Sequence, residues 1–310
     1  MKLATTTADL RSYAKTPAET VKLFAGTGFK LLDMNFYLEN YSDSPFVVPG
    51  DDWKKLVGDA GEAAAKIGIG FCQAHSPDGE HYILGENRDN LLTATKRTIE
   101  ACAMLGIKDT VIHAGISAAF TPCEFMKRNR DFYSELFDTS EKYEVNLLVE
   151  NGCEINSPGY YLRTGAEMKE FLEFVNHPLL HACWDTGHAH MRNMDQYESI
   201  ITLGSELRAL HIQDNYGDAD SHTAPFFGNC NFDQIMQGLL DIKYDGAFTF
   251  EGSNLMRDHT AWPNYRKPWE HGGKKVTTLL DVPLHIKQQA VALMYATGKY
   301  MLEQYGCFEY

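Results

Sequence analysis

The chain has 310 residues, with 28 Lys or Arg against 42 Asp or Glu, which gives a formal net charge of -14 at pH 7. The acidic residues are spread along the chain without a basic stripe, which argues against a nucleic-acid partner because phosphate binding depends on clustered Lys and Arg. No stretch approaches the roughly 18 apolar residues of a membrane span, and the N-terminus lacks the apolar run of a signal peptide. The seven cysteines form an odd set without a Cys-x-x-Cys pair. These features predict a soluble cytoplasmic protein with reduced thiols and no membrane partner.

Short apolar runs alternate with longer stretches of helical period, which is typical of strand-helix units around a parallel sheet. We predict eight strands, at Lys2–Thr6, Leu31–Asn35, Gly70–Ala74, Thr110–Ile112, Leu147–Val149, Ala182–Trp184, Leu207–Leu210 and Ala247–Phe250. The clearest helices are predicted from Thr16-Pro17 to Gly26 or Gly28, and at Trp53–Ile67, Asn87–Leu105, Glu124–Tyr143 and Val282–Tyr305. This pattern predicts an α/β fold in which residues 1–310 form a single (β/α)8 TIM barrel domain.

The third to eighth predicted strands each end in a residue that binds metal or moves a proton. These residues are His75, His113, Glu150, Asp185, His211 and Glu251. Because all strand C-termini of a barrel open on one face, we expect these side chains to converge there. Two carboxylates from Glu150 and Glu251, with Asp185 and His211 between them, make an oxygen-rich site with one nitrogen, which favours Mn, Mg or Co and tolerates Zn.

A second histidine follows the sixth strand closely. The chain reads Asp185-Thr-Gly-His188, so a carboxylate and an imidazole emerge together from one strand end. A neutral imidazole at this position serves either as a metal ligand or as a hydrogen-bond partner for a substrate oxygen.

The strand-end series resembles the sugar phosphate isomerase/epimerase branch of the xylose-isomerase-like barrel superfamily, which includes the ketose 3-epimerases. The series reads His75-Ser-Pro, His113-Ala-Gly, Glu150-Asn-Gly, Asp185-Thr-Gly-His188, His211-Ile-Gln-Asp214 and Glu251-Gly. The resemblance implies that Glu150, Asp185, His211 and Glu251 hold one divalent metal, most simply Mn, and that His188 contacts a substrate oxygen. It also implies a metal-dependent sugar isomerase or epimerase, in which Glu150 and Glu251 form an acid/base pair that moves a proton next to a carbonyl through an enediolate.

The sequence departs from the ketose 3-epimerases after the seventh strand, where those enzymes carry an arginine and this chain has none. It carries Asp220-x-His222 instead, and this motif together with His75 and His113 resembles the apurinic endonuclease branch of the superfamily, where matching positions hold zinc ions. The alternative function is therefore a multi-zinc phosphodiesterase. If the protein is an isomerase, His75, His113, Asp220 and His222 are expected to contact the substrate.

Two aromatic loops bear on substrate size. Phe36 follows the second strand and Trp262 lies in the long segment after the eighth, and both are predicted to contact a sugar, although aromatic residues on long loops also pack on a barrel or in an oligomer contact. The predicted substrate is then larger than a triose, such as a keto-glycoside. A metal-dependent lyase acting on such a compound is the third candidate function. A barrel that only binds sugar is disfavoured because both Glu150 and Glu251 are present. The aromatic tail Tyr305–Tyr310 is expected to contribute to a homo-oligomer.

Overall fold

The computed structural model describes residues 1–78, 85, 87–153, 159–252, 254–256, 259 and 266–310. Eight parallel strands form its main sheet: β1 Leu3–Thr6, β2 Leu31–Asn35, β3 Gly70–His75, β4 Asp109–Ile112, β5 Asn146–Glu150, β6 Leu180–Asp185, β7 Leu207–His211 and β8 Phe248–Phe250. β1 pairs with both β2 and β8, and a parallel bridge between Ile212 and Phe250 joins the remaining two edges. The sheet therefore closes into the predicted TIM barrel, and each predicted strand is confirmed to within about two residues at either end.

The helices between the strands are α1 Ala8–Arg11, α2 Pro17–Lys22, α3 Asp52–Ile67, α4 Arg88–Leu105, α5 Pro122–Ser134, α6 Phe137–Tyr143, α7 Gly165–Val175, α8 Thr186–Met191, α9 Gln196–Leu203, α10 Phe232–Asp241 and α11 Leu284–Gln304. Local sequence fixes several of their starts. The Thr16 side chain accepts from the backbone N–H of Glu19 and Pro17 occupies the first turn, whereas Thr121 and Thr164 each form a reciprocal capping box with a glutamate. These caps satisfy backbone donors that the first helical turn leaves unpaired.

Three predictions about local structure need correction. The helix predicted over Glu124–Tyr143 is broken at residues 135–136 into α5 and α6. The first long helix ends at Lys22, before the glycines expected to stop it. The segment expected to be a loop after the eighth strand contains an exposed antiparallel hairpin, β9 Trp269–His271 and β10 Lys274–Val276. Its turn residues Gly272 and Gly273 both have positive φ, which the two-residue hairpin turns require.

The interior of the barrel is divided into an apolar half and a polar half. Alternation along the strands turns every second side chain inward, and on β4 to β7 this places Val111, Leu148, Cys183 and Ala209 in one small buried cluster. On β1, β2, β3 and β8 the buried residues at the same level are Thr5, Asp33, Gln73 and Thr249. Gln73 Nε2 lies 3.4 Å from Asp33 Oδ2, and Thr249 donates to Gln73 Oε1 at 2.9 Å. The layer of side chains beneath the strand ends is therefore hydrogen-bonded on the side of β1, β2, β3 and β8 and apolar on the side of β4 to β7.

The outer core lies between the sheet and the surrounding helices, and α11 completes it. The ring of Phe29 meets those of Phe250 and Tyr295 edge to face, with centroids 6.1 and 5.2 Å apart. The chain end packs close by, where the backbone N–H of Glu309 donates to the carbonyl of Met1. In the described part of the chain, no helix combines the length and the apolar character needed to cross a bilayer.

Gly298 marks the tightest approach of α11 to the barrel. A Cβ atom there would lie 2.6 Å from the Phe250 ring and 2.8 Å from Leu3. We expect Gly298→Ala to destabilise the protein by about 1–3 kcal/mol, because extra volume in a packed core forces its neighbours to move. Urea unfolding measures this change.

Gly58→Ala in α3 is the matched control. Gly58 is exposed and has open space around its Cβ position, so the same substitution is expected to stabilise the protein by roughly 0.5–1 kcal/mol through helix propensity alone. Equal effects of the two variants would contradict this description of the packing.

Candidate metal centre and active site

Four of the predicted residues converge at the C-terminal ends of adjacent strands. Glu150 ends β5, Asp185 ends β6, His211 ends β7 and Glu251 directly follows β8. Each offers a donor atom, and these atoms all lie within 4.8 Å of one another. His211 Nδ1 is 2.8 Å from Glu150 Oε1 and 3.6 Å from Glu251 Oε2. The barrel therefore brings together residues that are up to about 100 positions apart in the sequence.

This donor set fits a divalent cation. It consists of three carboxylates and one imidazole, and the side chains are 0–2% exposed except that of Glu251, at 13%. Like charges packed this closely away from water repel one another strongly. Oxygen-rich sites with one imidazole are characteristic of divalent metals, and a cation among the carboxylates would neutralise their charge.

Two further histidines extend the site from Glu150. His113 Nε2 lies 2.9 Å from Glu150 Oε2 and 3.2 Å from His75 Nε2. His75 Nε2 is itself 3.9 Å from Glu150 Oε2, and His75, Glu150 and His211 form a second group with the spacing of metal ligands. The end of β3 and the residue after β4 thus face the same carboxylate.

The third group lies on the other side of the opening. Asp220 Oδ2 is 2.8 Å from His222 Nε2 and 3.4 Å from His188 Nε2, and these residues also have ligand-like spacing. The Asp185 carboxylate ties this group to the centre, because its Oδ1 accepts from the backbone N–H of His188 at 2.7 Å. Gln213 Nε2 connects the two groups, donating to Asp220 Oδ1 at 2.6 Å and lying 3.3 Å from Asp185 Oδ2.

The two glutamates have pKa values shifted in opposite directions. Burial alone would raise the pKa of Glu150, but the neighbouring charges and hydrogen bonds of His211 and His113 outweigh it and hold that pKa well below its usual value. Burial raises the pKa of Glu251 to about 7, against the opposing effect of His211 and His222. In the metal-free site, Glu150 is therefore the more acidic of the two carboxyl groups.

The pKa values of the histidines are also shifted in opposite directions. Burial, reinforced by the nearby charges of His113 and His211, lowers the pKa of His75 to about 4, so its imidazole is neutral. Burial also opposes protonation of His113, but the carboxylates of Asp78 and Glu150 outweigh it and raise the pKa of His113 to about 10. In the same way, the Asp220 carboxylate raises the pKa of His222 to about 10. Protonated imidazoles thus offset the buried carboxylates in the metal-free protein.

A cavity of about 260 Å³ opens onto this site. Its wall consists of Ala8, Arg11, Asn35, Tyr37, His75, His113, Glu150, Asn151, Gly152, Cys153, Tyr160, His188, Asp220, His222 and Glu251. Asp185 and His211 are absent from the wall because they are fully buried beneath it. All the predicted strand-end and histidine residues therefore lie in or directly under one cavity.

The two predicted aromatic contacts have different outcomes. Phe36 is only 2% exposed and packs against Phe46 with ring centroids 5.3 Å apart, so it does not line this cavity. Its neighbour Tyr37 does, with its ring centroid 5.3 Å from that of His75 and 5.9 Å from that of His113. Trp262 lies outside the described residues.

Several polar residues of the site were not predicted from the sequence. Arg11, from α1, lines the cavity and donates to Asn35 Oδ1 at 2.9 Å. Asn151 fixes the end of β6, since its Oδ1 accepts from the backbone N–H of Asp185 at 2.6 Å and its Nδ2 donates to the Asp185 carbonyl. Asn35 and Asn151 stand at the ends of predicted strands and were identifiable on that ground. No sequence signal distinguishes Arg11 from a surface arginine.

Residues 21–267 match the family described as Xylose isomerase-like TIM barrel. The chain belongs to this family. Among the curated proteins of similar sequence, a ketose 3-epimerase of Arthrobacter globiformis is 26% identical over 195 residues, which cover 61% of this chain and 63% of the relative. A probable endonuclease 4 of Citrifermentans bemidjiense is 26% identical over 145 residues, 42% of this chain and 50% of the relative.

The structural comparison agrees on the fold. A crystal structure of D-psicose 3-epimerase in the presence of D-fructose superimposes with a TM-score of 0.71 at 18% identity, covering 97% of this chain and 99% of the other. The chain spans about half to two thirds of the length of the curated relatives it matches. The predicted resemblance is confirmed: relatives of this xylose-isomerase-like barrel include sugar epimerases, and its buried Glu, Asp and His residues form a group suited to a metal.

Asp214 organises the loop that carries Asp220 and His222. Its carboxylate accepts backbone N–H groups from Asn215, Phe226, Gly228 and Cys230 at 2.9–3.0 Å. We expect Asp214→Ala to release this loop, because buried backbone donors without acceptors cost about 1–3 kcal/mol each. Hydrogen-deuterium exchange of residues 215–230 should accelerate at least tenfold. Asp218→Ala, an exposed position in the same loop, should leave exchange unchanged, and equal acceleration in both variants would contradict this role for Asp214.

Asp9 is a buried carboxyl group near the site whose ionisation opposes folding. Burial raises its pKa to about 6 despite Lys287 and a hydrogen bond from Thr5. Because the folded state holds this proton more tightly than the unfolded chain, stability falls as pH rises from about 4 to about 6 and stays reduced above that range. Asp9→Asn should therefore stabilise the metal-free protein by about 2 kcal/mol at pH 7.5, and the gain should shrink several-fold at pH 4. Urea unfolding at both pH values checks this, and a gain independent of pH would contradict it.

Proposed function

We propose that this protein is a divalent-metal-dependent sugar isomerase or epimerase that transfers a proton next to a carbonyl group, with Glu150 and Glu251 as the acid/base pair. The observation that carries this proposal is the arrangement of the buried Glu150 at the end of β5 and the largely buried Glu251 just after β8, with Asp185 and His211 on the strands between them. A sugar in the cavity would have one carboxylate on either side. The similarity of this chain to a ketose 3-epimerase supports the same reaction class.

Glu150, Asp185, His211 and Glu251 would hold the metal, which we propose is Mn. When bound, the metal supplies Lewis acidity that stabilises negative charge developing on the substrate oxygens. One glutamate removes the proton from the carbon beside the carbonyl, and the other returns a proton to the opposite face. Return to the same carbon gives epimerisation, whereas return to the neighbouring carbon gives aldose-ketose isomerisation.

The remaining residues would orient the sugar. His188 Nε2 is on the cavity side, since its Nδ1 lies 2.8 Å from the Asn151 carbonyl, and it is proposed to contact a substrate oxygen. His75, His113, Asp220 and His222 would contact hydroxyl groups from the opposite walls. Tyr37 would also contact the sugar, because its ring lies beside His75 and His113.

A second cavity supports a substrate larger than a free monosaccharide. It also measures about 260 Å³ and shares Arg11 and Asn35 with the first, and Met34, Phe36, Phe46, Leu56 and Val57 form most of its apolar wall. Because Arg11 and Asn35 line both cavities, we propose that a substituent on a sugar in the first cavity would occupy the second. This favours a keto-glycoside over a triose, and a lyase that eliminates such a substituent uses the same carbon acid chemistry.

A multi-zinc phosphodiesterase is the second candidate, and one observation favours it. Besides the central set, the described residues contain two further groups with ligand spacing, His75–Glu150–His211 and His188–Asp220–His222. A probable endonuclease 4 is also among the relatives. Against this candidate, Arg11 is the only Lys or Arg among the described residues that line the main cavity, and nucleic-acid binding needs clustered positive charge.

Replacing either glutamate tests the proposed proton transfer. Incubated with Mn²⁺ and a panel of ketoses and keto-glycosides in deuterated water, the wild type should incorporate deuterium at carbon beside the carbonyl. Glu150→Gln and Glu251→Gln should each reduce this exchange by at least about 10²-fold, since positioned acids and bases contribute roughly 10²–10⁴-fold. Nuclear magnetic resonance of the recovered sugar measures the exchange.

The matched control is Glu206→Gln, which alters a surface glutamate paired with His181 outside the cavity and should retain wild-type exchange. Unchanged exchange in both cavity variants would refute the proton-transfer roles. Cleavage of an oligonucleotide containing an abasic site, without exchange into any sugar, would favour the phosphodiesterase.

A further inference from the structure

We propose that Asp33 positions His211 as a metal ligand by accepting a hydrogen bond from its Nε2–H group. This inference rests on the metal site of the proposed function and assigns a role to a residue that takes no part in the strand-end series. Asp33 would act from beneath the site, at the edge of the imidazole ring that carries Nε2.

The geometry places the two sides of the His211 ring against different partners. Nδ1 faces the centre of the site, 2.8 Å from Glu150 Oε1. Nε2 points down into the barrel, 3.5 Å from Asp33 Oδ2. Both His211 and Asp33 are 0% exposed, so no bulk water competes for this contact.

Neither group has a better partner in the described part of the chain. His211 Nε2 and Asp33 Oδ1 have no hydrogen-bond partner among those residues, and no Lys or Arg there forms an ion pair with Asp33. Burying a carboxylate without a cation or a full set of donors is expensive. A carboxylate kept at such a cost, directly beneath a proposed ligand, is best explained by what it does to that ligand.

The polar half of the barrel interior holds Asp33 in place. Gln73 Nε2 lies 3.4 Å from both Asp33 Oδ2 and the carbonyl of Leu210, the residue before His211. Thr249 donates to Gln73 Oε1 from the other side. The carboxylate is thus linked to the strand that carries His211, and shortening the 3.5 Å contact between Nε2 and Asp33 Oδ2 by about 0.6–0.8 Å would give the roughly 2.7–2.9 Å of a charge-assisted hydrogen bond.

This contact would select one tautomer of the imidazole. A neutral imidazole carries one N–H, and a carboxylate at Nε2 favours the proton there, which leaves the lone pair on Nδ1 for a metal. The same contact fixes the orientation of the ring and makes Nδ1 more basic. Loss of such a partner typically weakens metal binding by about 10–100-fold.

The test compares Asp33→Asn with Asp9→Asn by calorimetric titration of the metal-free proteins with MnCl₂. Asp9 is the matched control because it is also a buried carboxyl group near the site, at 2% exposure, but it bonds to Thr5 and not to His211. Both variants remove one buried negative charge, so both lose general attraction for a cation. Only Asp33→Asn also removes the charged acceptor from His211 Nε2.

We expect Asp33→Asn to bind Mn²⁺ at least tenfold more weakly than Asp9→Asn and to shift the visible absorption spectrum of bound Co²⁺, which reports ligand geometry. Asp33→Glu, which restores the charged acceptor, should recover part of the lost affinity and serves as the second variant if Asp33→Asn does not fold. A purely structural role predicts reduced thermal stability of metal-free Asp33→Asn, with Mn²⁺ affinity and Co²⁺ spectrum equal to those of Asp9→Asn. That outcome would overturn the inference.

Metal affinity is independent of sugar turnover, so the inference and the proposed function can fail separately. A wild type that binds Mn²⁺ but exchanges no deuterium into any sugar refutes the proposed reaction and leaves the role of Asp33 to be decided by the variants. A wild type that binds neither Mn²⁺ nor Co²⁺ overturns both.

Discussion

Repulsion between buried carboxylates is the constraint on which the open end of this barrel depends. Glu150, Asp185 and Asp220 are buried and Glu251 is nearly so, and every one of them has an imidazole nitrogen within 4 Å. Such a cluster persists when carboxyl groups hold protons, as the raised pKa of Glu251 favours, or when positive charge is supplied by protonated histidine or by a bound cation. A divalent metal bound at this cluster would release protons from it, since imidazoles must lose protons before they can act as ligands.

The barrel meets this constraint differently on its two sides. Beneath Glu150 and Asp185 the interior is apolar, with Leu148 and Cys183 at the next level. His211 stands above Ala209 of the same apolar cluster, but its Nε2 faces Asp33, which belongs to the polar layer with Gln73 and Thr249. Carboxylates are positioned by their own strands and by Asn151, whereas an imidazole needs a partner on its distal nitrogen to fix its tautomer. The polar half of the interior provides that partner where the site needs it.

The sequence was sufficient to predict the architecture and the convergence of the strand-end residues, for identifiable physical reasons. Strand-helix alternation reveals the barrel, and the barrel's symmetry then turns polar strand ends such as Glu150 and His211 into one cluster. The sequence was insufficient where tertiary packing decides which side chain faces the site. Phe36 and Tyr37 are adjacent aromatics, and only the packing of Phe36 against Phe46 determines which of them faces the cavity. Asp33 reads as an ordinary polar residue in a strand, because its significance depends on the register of β2 against the rest of the sheet.

The most direct measurement is an anomalous X-ray diffraction map from crystals of the protein soaked in MnCl₂, collected near the manganese absorption edge. The proposed metal site requires one dominant peak enclosed by Glu150, Asp185, His211 and Glu251, with His211 coordinating through Nδ1. Absence of a peak there at saturating Mn²⁺, or a dominant peak bound only by His188, Asp220 and His222, would contradict it.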